Sequence, residues 1–327
     1  MSLPSFETTG LQDIVERDAD ANTDLDEILN GLSEAQKRLS PKFFYDERGS
    51  ELFDEITRLP EYYPTATERS IMAECVGELA ELIGIEASII EFGAGSSAKI
   101  RQLLSSLHEP AVYVPVDISR DFLVAAAKDL AVDFPELEIL PVAADFTQPF
   151  DLPSPKIMPR RNVVFFPGST IGNFEPGAAL SLLRVMYQEA GEDGGLLIGV
   201  DLQKDAGVLE HAYNDDAGVT AAFNKNMLTH INRVFGANFD VDRFEHTAIY
   251  NEDAGRIEMY LISRGEQTVS VSGNTFSFAD GERILTEHSY KHTIEGFTSM
   301  AAEAGFNLER VWTDRRDYFA VMYLTRD

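Results

Sequence analysis

Residues 88–101, SIIEFGAGSSAKIR, decide the fold of this chain. A short apolar stretch leads to Glu91, the turn Gly93-Ala94-Gly95 follows, and Ser96-Ser97 opens a helix. Glycine lets the backbone turn sharply and approach a ligand closely, and serine is a favoured N-cap residue. The free N–H groups of the helix N-terminus face the same space. The stretch therefore predicts the first strand, turn and helix of an α/β sheet that binds a nucleotide-like cofactor.

The sequence on both sides of this turn alternates between helical and strand patterns from about residue 67 to residue 203. The predicted strands are ASIIEF, AVYVPVDI, EILPVAADF, RNVVFFPGS and GGLLIGVDL. Near-continuous apolar strands of this kind indicate a parallel sheet that is covered on both faces. Near the end of the chain, NLERVWTD and YFAVMYLTRD are separated by a short charged turn and predict a hairpin at the edge of that sheet. A doubly wound sheet with a terminal antiparallel hairpin is the Rossmann-like arrangement of S-adenosylmethionine-dependent methyltransferases, whereas a dinucleotide-binding dehydrogenase more often continues with parallel strands.

A second, α+β domain is predicted from two separate parts of the chain. Residues 25–65 contain helices and turns, and residues 204–283 contain helices followed by alternating strands that look antiparallel. The methyltransferase domain then comprises residues 66–203 and 284–327, and the polar, acidic residues 1–24 are predicted to be a flexible N-terminus. We expect the substrate to lie in the cleft between the domains, at the carboxyl ends of the parallel strands.

The composition excludes several classes of partner. The formal net charge is −28 and the sequence pI is about 4.5, so the protein repels phosphate backbones and a nucleic-acid partner is not expected. The sequence has no apolar stretch of membrane-spanning length and no signal-peptide pattern at its N-terminus. We therefore expect a cytoplasmic protein without a membrane partner, and a monomer.

Acidic residues at the ends of three successive strands favour a cofactor without phosphate. Glu91 lies two residues before the first glycine, where its charge would disfavour a pyrophosphate. Asp117 ends the second strand, 24 residues past Gly93, where a carboxylate can accept hydrogen bonds from both ribose hydroxyls. Asp145 ends the third strand and can accept from an adenine amino group, with Phe146 against the ring. This pattern favours S-adenosylmethionine over a nicotinamide cofactor, although Asp117 and Asp145 could instead cap the helix and the turn that follow them.

The tract PKFFYDERGSELFDEITRLPEYYPT, residues 41–65, begins before the sheet and is crowded with aromatic side chains. It resembles the N-terminal signature of the histidine-specific Nα-methyltransferase family of ergothioneine biosynthesis. The resemblance continues in order and with compatible spacing through the Tyr213 helix and the motifs EFGAGSSAKIR, YVPVDIS, ADF, FFPGSTIGNFEP, DLQKD, RIEMYL and LTEHSYK. It covers nearly the whole chain past about residue 35, and it implies metal-free trimethylation of the α-amino group of L-histidine to hercynine by S-adenosylmethionine.

The resemblance also implies a set of site residues. S-adenosylmethionine would be held by Gly93, Lys99, Asp117, Asp145 and Phe146. The carboxylate and amino group of histidine would be held by the catalytic candidates Tyr62, Asn173 and Tyr213, with the backbone of Gly168 nearby. The rest of the substrate pocket would comprise Tyr45, Phe53, Met259, Glu287 and Ser289, of which Glu287 and Ser289 bind the imidazole. Two positions depart from the family: His288, where relatives usually have Asn, and Ala94, where Ser is common.

The chemistry of methyl transfer fits these residue types. The reaction is an in-line displacement that needs proximity, alignment and a neutral amine. Asn173 does not titrate, so its amide oxygen is predicted to orient the amine. The product is a quaternary ammonium without an N–H group, which aromatic faces hold by cation–π attraction. Of the aromatic residues in the 41–65 tract, Phe43, Phe44 and Tyr63 are predicted to pack in a core, and Tyr62 is predicted to be functional.

The imidazole site depends on strand geometry. Glu287 and Ser289 share one face of a strand, and His288 points to the other. Without the family resemblance, Glu287 would be interpreted as a solvated carboxylate.

Two other functions remain open at this point. A sister methyltransferase acting on another amino acid or amine would change the imidazole subsite, yet Met259, Glu287 and Ser289 are retained. A non-catalytic S-adenosylmethionine-binding partner protein would be expected to lose Asn173 or the tyrosines Tyr62 and Tyr213. This chain retains all three residues.

Overall fold

The computed structural model describes residues 21–95 and 97–326. The helices are α1 (Ala21–Ser33), α2 (Glu47–Ile56), α3 (Tyr63–Ile83), α4 (Ser97–Leu104), α5 (Arg120–Asp133), α6 (Pro176–Ala190), α7 (Ala206–Tyr213), α8 (Val219–Phe235) and α9 (Ile294–Ala304). The strands are β1 (Ala87–Phe92), β2 (Val112–Asp117), β3 (Glu138–Ile139), β4 (Val142–Ala143), β5 (Arg161–Phe166), β6 (Gly195–Asp201), β7 (Phe244–Asn251), β8 (Arg256–Ser263), β9 (Gln267–Val271), β10 (Asn274–Phe278), β11 (Arg283–Tyr290), β12 (Asn307–Thr313) and β13 (Phe319–Thr325). Most of the predicted flexible N-terminus, residues 1–20, lies outside the described residues, as does Ser96 of the predicted helix start.

An eight-stranded sheet has the order β12-β13-β6-β5-β1-β2-β3, with β4 also paired to β2. The strands from β1 to β6 pair in parallel, whereas β13 is antiparallel to both β6 and β12. This topology confirms the predicted parallel sheet with a terminal antiparallel hairpin. The predicted strand EILPVAADF is instead two short strands, because Pro141 between them has no N–H group to donate to a ladder.

Helices cover both faces of this sheet. Successive side chains of a strand point to opposite faces, so Ile89 packs with α3 and α4, and Ile90 packs with α6 and α9. Every residue of β1 is buried, which explains its continuous apolar sequence. The first glycine turn therefore follows a strand that is packed against helices on both of its faces.

A second layer of structure surrounds another apolar core. A three-stranded antiparallel sheet has the order β11-β8-β7, and β9 and β10 form a separate hairpin. The core between these strands and helices α1, α2, α7 and α8 includes Phe43 and Phe44, as predicted. Among the described residues, no helix is long and apolar enough to cross a membrane.

The strand β11 changes the predicted domain boundary. The boundary at residue 284 assigns almost all of β11 to the methyltransferase domain, yet β11 pairs with β8 along the three-stranded sheet. Its partner lies about 30 residues earlier in the chain, and this pairing is not visible in the local pattern. Sheet pairing therefore favours a boundary after Tyr290, where the chain returns to α9.

Candidate active site

The glycine turn after β1 has the geometry that a closely bound ligand needs. Gly93 has φ +71°, a left-handed conformation that favours glycine. Its N–H donates to the carbonyl oxygen of Val116 at 2.9 Å. A Cβ atom at this position would lie 3.6 Å from the ring of Phe146. The turn and the aromatic ring predicted to contact adenine therefore lie side by side.

The carboxylates at the ends of the next two predicted strands accept hydrogen bonds from residues that follow them, as the capping alternative predicts. Oδ1 of Asp117 accepts the N–H of Ser119 at 2.8 Å, and burial raises the pKa of Asp117. Asp145 is exposed, and its Oδ1 accepts the N–H and the hydroxyl of Thr147 at 3.0 and 2.7 Å. An ionised carboxylate offers about four acceptor positions, so these bonds leave capacity for ribose hydroxyls or an adenine amino group. A role of Asp117 and Asp145 in cofactor binding remains a prediction.

Glu91 lies inside the protein rather than on a ligand-facing surface. It is 2% exposed and accepts a hydrogen bond from the hydroxyl of Tyr113. Burial raises its pKa to about 7, against the opposing effect of the Tyr113 bond and the nearby charge of Lys99. The Glu91 carboxyl group is therefore held by Tyr113 near the end of β1, where the glycine turn begins.

A buried glutamate joins the cofactor side to the substrate side. Glu68 of α3 is 1% exposed and forms an ion pair with Lys99 of α4. Its two carboxylate oxygens also accept the N–H of Gly168 at 2.9 and 3.0 Å. The sequence analysis missed Glu68, because a single glutamate in a helix is usually solvated and its two partners are distant in sequence.

The loop after Gly168 brings Asn173 to the edge of β11. Gly168 has φ +83°, and a single 3₁₀ turn, Thr170–Asn173, follows it. A Cβ atom at Gly172 would lie 2.6 Å from the carbonyl oxygen of Tyr290, so this turn packs directly on the backbone of β11. Asn173 therefore belongs to the same region as the strand that carries Glu287 and Ser289.

Aromatic rings line one side of this region. Ring centroids are 5.9 Å apart for Tyr45 and Phe53, 6.3 Å for Phe53 and Tyr62, and 6.1 Å for Tyr62 and Tyr213. Tyr45 as a whole residue is 48% exposed, and burial raises the pKa of its hydroxyl. Phe223 of α8, which the sequence analysis missed, contacts both Tyr45 and Phe53 at 5.8 and 5.9 Å.

The predicted imidazole residues also lie here. In the register of β11 and β8, Glu287 is opposite Met259. Burial raises the pKa of Glu287 to about 7, and Lys291 partly offsets this shift. Burial and, next, the charge of Glu287 raise the pKa of Tyr213. The hydroxyls of Tyr213 and Ser289 are 2.9 Å apart, so the carboxylate, the hydroxyls and the rings lie together at the predicted substrate pocket.

His288 points away from this pocket, as predicted. Its Nδ1 lies 2.6 Å from Oε1 of Glu175, at the start of α6. The side chain that differs from the family pattern therefore contacts a helix end instead of the predicted imidazole site.

Buried charges that the sequence analysis missed lie beneath the pocket. Asp201 at the end of β6 accepts from the hydroxyl of Tyr63 at 2.8 and 2.9 Å. The ammonium groups of Lys204 and Lys291 lie 2.5 and 2.8 Å from Asp201. Despite burial, these two lysines hold the pKa of Asp201 below its usual range. Asp201 could have been proposed from the sequence, because it is a carboxylate at the end of an apolar strand. The same pattern predicted a role for Asp117.

One further cluster lies outside the pocket. Glu61, His211 and Asp216 place possible metal-ligand atoms within 4.8 Å of one another, and Glu61 Oε2 has no hydrogen-bond partner among the described residues. His211 and Asp216 are exposed, and exposed acidic groups commonly lie together without a metal. The expectation of a metal-free enzyme remains a prediction.

Comparison with known proteins agrees with the geometry. Residues 24–326 match the family described as "Histidine-specific methyltransferase, SAM-dependent". The chain is 40% identical over 324 residues to the histidine N-alpha-methyltransferase of Mycolicibacterium smegmatis, covering 98% of this chain and 100% of that protein. It is also 40% identical over 302 residues to the histidine N-alpha-methyltransferase of Mycobacterium tuberculosis, covering 90% and 92% of the two chains.

A more distant relative is ergothioneine biosynthesis protein 1 of Schizosaccharomyces pombe. The identity is 28% over 282 residues, which covers 83% of this chain and 36% of that longer protein. The match to the family model spans almost all described residues and includes every predicted site residue. The chain therefore belongs to the histidine-specific, S-adenosylmethionine-dependent methyltransferase family.

Proposed function

We propose that this protein transfers three methyl groups from S-adenosylmethionine to the α-amino nitrogen of L-histidine, giving hercynine in the first step of ergothioneine biosynthesis. The observation that carries the proposal is the convergence of side chains from the N-cap of α3, from α7 and from β11. Tyr62 and Tyr213 are in ring contact, Tyr213 is hydrogen-bonded to Ser289, and Glu287 acts on the pKa of both tyrosines. The names and identities of the two mycobacterial relatives support the same substrate.

The pocket chemistry matches a zwitterion with an imidazole side chain. Glu287 can accept an imidazole N–H, and the Ser289 hydroxyl can donate to the second ring nitrogen. A site that hydrogen-bonds a polar side chain rejects an apolar analogue strongly, because its buried polar groups are then left unpaired. Tyr62 can donate to the substrate carboxylate, and Tyr213 can do so in the arrangement in which Ser289 donates to Tyr213.

The bound cofactor supplies an electrophilic methyl group on its sulfonium, and the protein supplies position. The amine must be neutral and aligned for attack. Asn173 can hold an amine N–H through its amide oxygen, beside the loop of Gly168. Glu68 connects that loop to Lys99, a predicted cofactor residue, by hydrogen bonds and an ion pair. This link supports a mechanism in which donor and acceptor are positioned by one rigid unit.

The aromatic side of the pocket suits the product. A trimethylated amine keeps its positive charge but has no N–H group left to donate. The rings of Tyr45, Phe53 and Tyr62 can face that cation, and each such contact contributes about 0.5 to 2 kcal/mol. We further propose that the enzyme acts as a cytoplasmic monomer without nucleic-acid or membrane partners, which its net charge of −28 supports for nucleic acid.

Mass spectrometry of products tests the proposed reaction. The purified protein is incubated with S-adenosylmethionine and a panel of amino acids and amines that includes histidine, histamine, phenylalanine and tryptophan. We expect mass gains of one, two and three methyl groups on histidine, and little product from the others. Preferential methylation of another amine would overturn the assignment of histidine.

A reciprocal pair of variants tests the assignment of the subsites. Glu287→Ala is expected to weaken histidine binding at least tenfold and to leave binding of S-adenosylhomocysteine within about twofold, because a hydrogen bond to a charged group is lost only at the imidazole. Asp117→Ala is expected to do the reverse. Equal losses of both ligands in either variant, measured by calorimetry, would contradict the assignment.

A further inference from the structure

Lys291 is a buried cation in direct contact with two predicted substrate residues. It follows β11 by one residue and is 3% exposed. Its Nζ donates to the hydroxyl oxygen of Tyr213 at 3.0 Å, to that of Ser289 at 2.8 Å and to the carboxylate of Asp201 at 2.8 Å. A lysine ammonium has three N–H donors, so these bonds use all of them.

The number of donor hydrogens on Lys291, Tyr213 and Ser289 determines what these three groups can offer to a ligand. The hydroxyls of Tyr213 and Ser289 are 2.9 Å apart, and one of them donates to the other. The second hydroxyl hydrogen is then left to point at a ligand. The oxygen that carries this hydrogen already accepts from Lys291 and from its neighbour, so it meets the ligand as a donor. Without Lys291, the two oxygens would gain two free acceptor positions, and either hydroxyl could rotate to present a lone pair.

Neutralisation of Asp201 does not by itself explain this lysine. Lys204 also lies 2.5 Å from Asp201, and its other polar contacts are the hydroxyl of Tyr63 and the carbonyl oxygen of Leu202. Both lysines pair with the same carboxylate, whereas Lys291 is the one of this pair that contacts Tyr213 and Ser289. The two side chains therefore form a natural comparison.

We propose that Lys291 is a positioning residue that fixes the hydroxyls of Tyr213 and Ser289 as a hydrogen-bond donor toward the acceptor substrate. The inference rests on the proposed function, since it concerns the same histidine pocket. A fixed donor selects an acceptor atom of the substrate, either a carboxylate oxygen or the unprotonated ring nitrogen of imidazole. When the acceptor atom is the ring nitrogen, Glu287 takes the complementary N–H, and the pocket then selects the neutral imidazole in one tautomer.

The test compares Lys291→Met with Lys204→Met. Methionine keeps most of the side-chain length and removes every donor. Lys291→Met is expected to raise the KM for histidine about tenfold to a hundredfold, because bonds from a charged donor are lost, while the Kd of S-adenosylhomocysteine stays within about twofold. Lys204→Met removes the other cation from Asp201 and is expected to lower the Tm without moving the histidine KM more than about twofold. Lys291→Gln, which keeps a polar end, covers the case in which Lys291→Met does not fold.

A double-mutant comparison separates positioning from direct attraction. In a Tyr213→Phe, Ser289→Ala background, Lys291→Met is expected to change histidine affinity less than about threefold, because no hydroxyl remains to be fixed. A full loss in that background would overturn the positioning role, as would a histidine KM close to that of the parent in folded Lys291→Met or Lys291→Gln.

Failure of the proposed function has a different signature. A parent enzyme that neither binds nor methylates histidine overturns that function alone. The role of Lys291 is then decided by neutron crystal structures of the parent and Lys291→Met, in which unchanged directions of both hydroxyl hydrogens would overturn it.

Discussion

At the scale of single residues, the pKa values of two carboxyl groups, buried Glu91 and half-buried Glu287, predict how the stability of this enzyme depends on pH. Burial raises the pKa of Glu287 and of Glu91 to about 7 each. Between the usual glutamate pKa and pH 7, the folded state therefore binds more protons than the unfolded state. The free energy of unfolding falls as the pH rises through this window, since folding then requires a charged group to be buried.

The Glu287→Gln variant tests this sign. Glutamine stays neutral. We therefore expect the free energy of unfolding of the variant, relative to that of the parent, to be about 1 to 3 kcal/mol higher at pH 8 than at pH 5. The measurement is urea unfolding of the ligand-free protein at both pH values. Glu136→Gln, at an exposed position, is the control and is expected to show a pH-independent difference. A Glu287→Gln difference that is the same at pH 5 and pH 8 would contradict the raised pKa.

Residues differ in how far the sequence could predict their roles. Tyr62 and Tyr213 could be proposed because they lie in recognisable motifs. Lys291 and Asp201 also lie in such motifs, but their roles depend on contacts between segments 78 to 138 residues apart. The hydrogen bonds of Asp117 and Asp145 were considered as alternatives, because such capping bonds are local.

At the scale of elements, the turn that carries Asn173 is positioned by close backbone packing. Gly172 touches the backbone of Tyr290 so closely that a methyl group would displace one of the two segments. Gly177 begins α6 a few residues later and has no neighbouring atom within 4 Å of its Cβ position. The two glycines therefore differ in packing although they lie close together in the chain.

Alanine substitutions at these glycines give a matched pair. Gly172→Ala is expected to lower kcat/KM for histidine about tenfold or more, because small misplacements in an active site are costly. Binding of S-adenosylhomocysteine should stay within about twofold. Gly177→Ala is expected to keep full activity and to gain up to about 1 kcal/mol of stability from helix propensity. Full activity of Gly172→Ala would show that the turn tolerates displacement.

Glu68 links three elements, and its removal should therefore affect both ligands. Glu68→Gln keeps an acceptor for the Gly168 N–H but loses the ion pair with Lys99. We expect the Kd of S-adenosylhomocysteine and the KM of histidine each to rise about tenfold. Glu74→Gln, at an exposed position on the same helix, is the control and should change neither. An effect on the cofactor alone would remove Glu68 from the substrate side.

The central sheet was predictable because its inner strands β1, β2, β5 and β6 are largely buried on both faces and mostly apolar. The third strand is split at Pro141, but a rule that ends strands at proline would also have divided β2, which runs through Pro115. The position of β11 could not be predicted in this way, because its alternating pattern fits either sheet and only pairing with β8 decides between them.

At the scale of the whole molecule, the excess acidic side chains, which give a net charge of −28, repel one another in the folded state. Salt screens such repulsion over distances of about 10 Å at 0.1 M. We expect the Tm to rise by a few degrees between 0.02 and 0.5 M NaCl, and KCl to act equally, because screening depends on ionic strength. Calorimetry at matched pH checks this, and a Tm that falls with either salt would mean that favourable ion pairs outweigh the repulsion.

The chain leaves the eight-stranded sheet after Asp201 and comes back at His292, and these two points are adjacent. The His292 N–H donates to the Asp201 carbonyl oxygen at 3.0 Å, and the Gln203 N–H donates to the His292 carbonyl oxygen at 2.9 Å. The two ends of the intervening segment are thus hydrogen-bonded to each other where the chain leaves the sheet. Because these ends are held together, residues can be inserted into or removed from the segment without changing the register of the strands in the eight-stranded sheet.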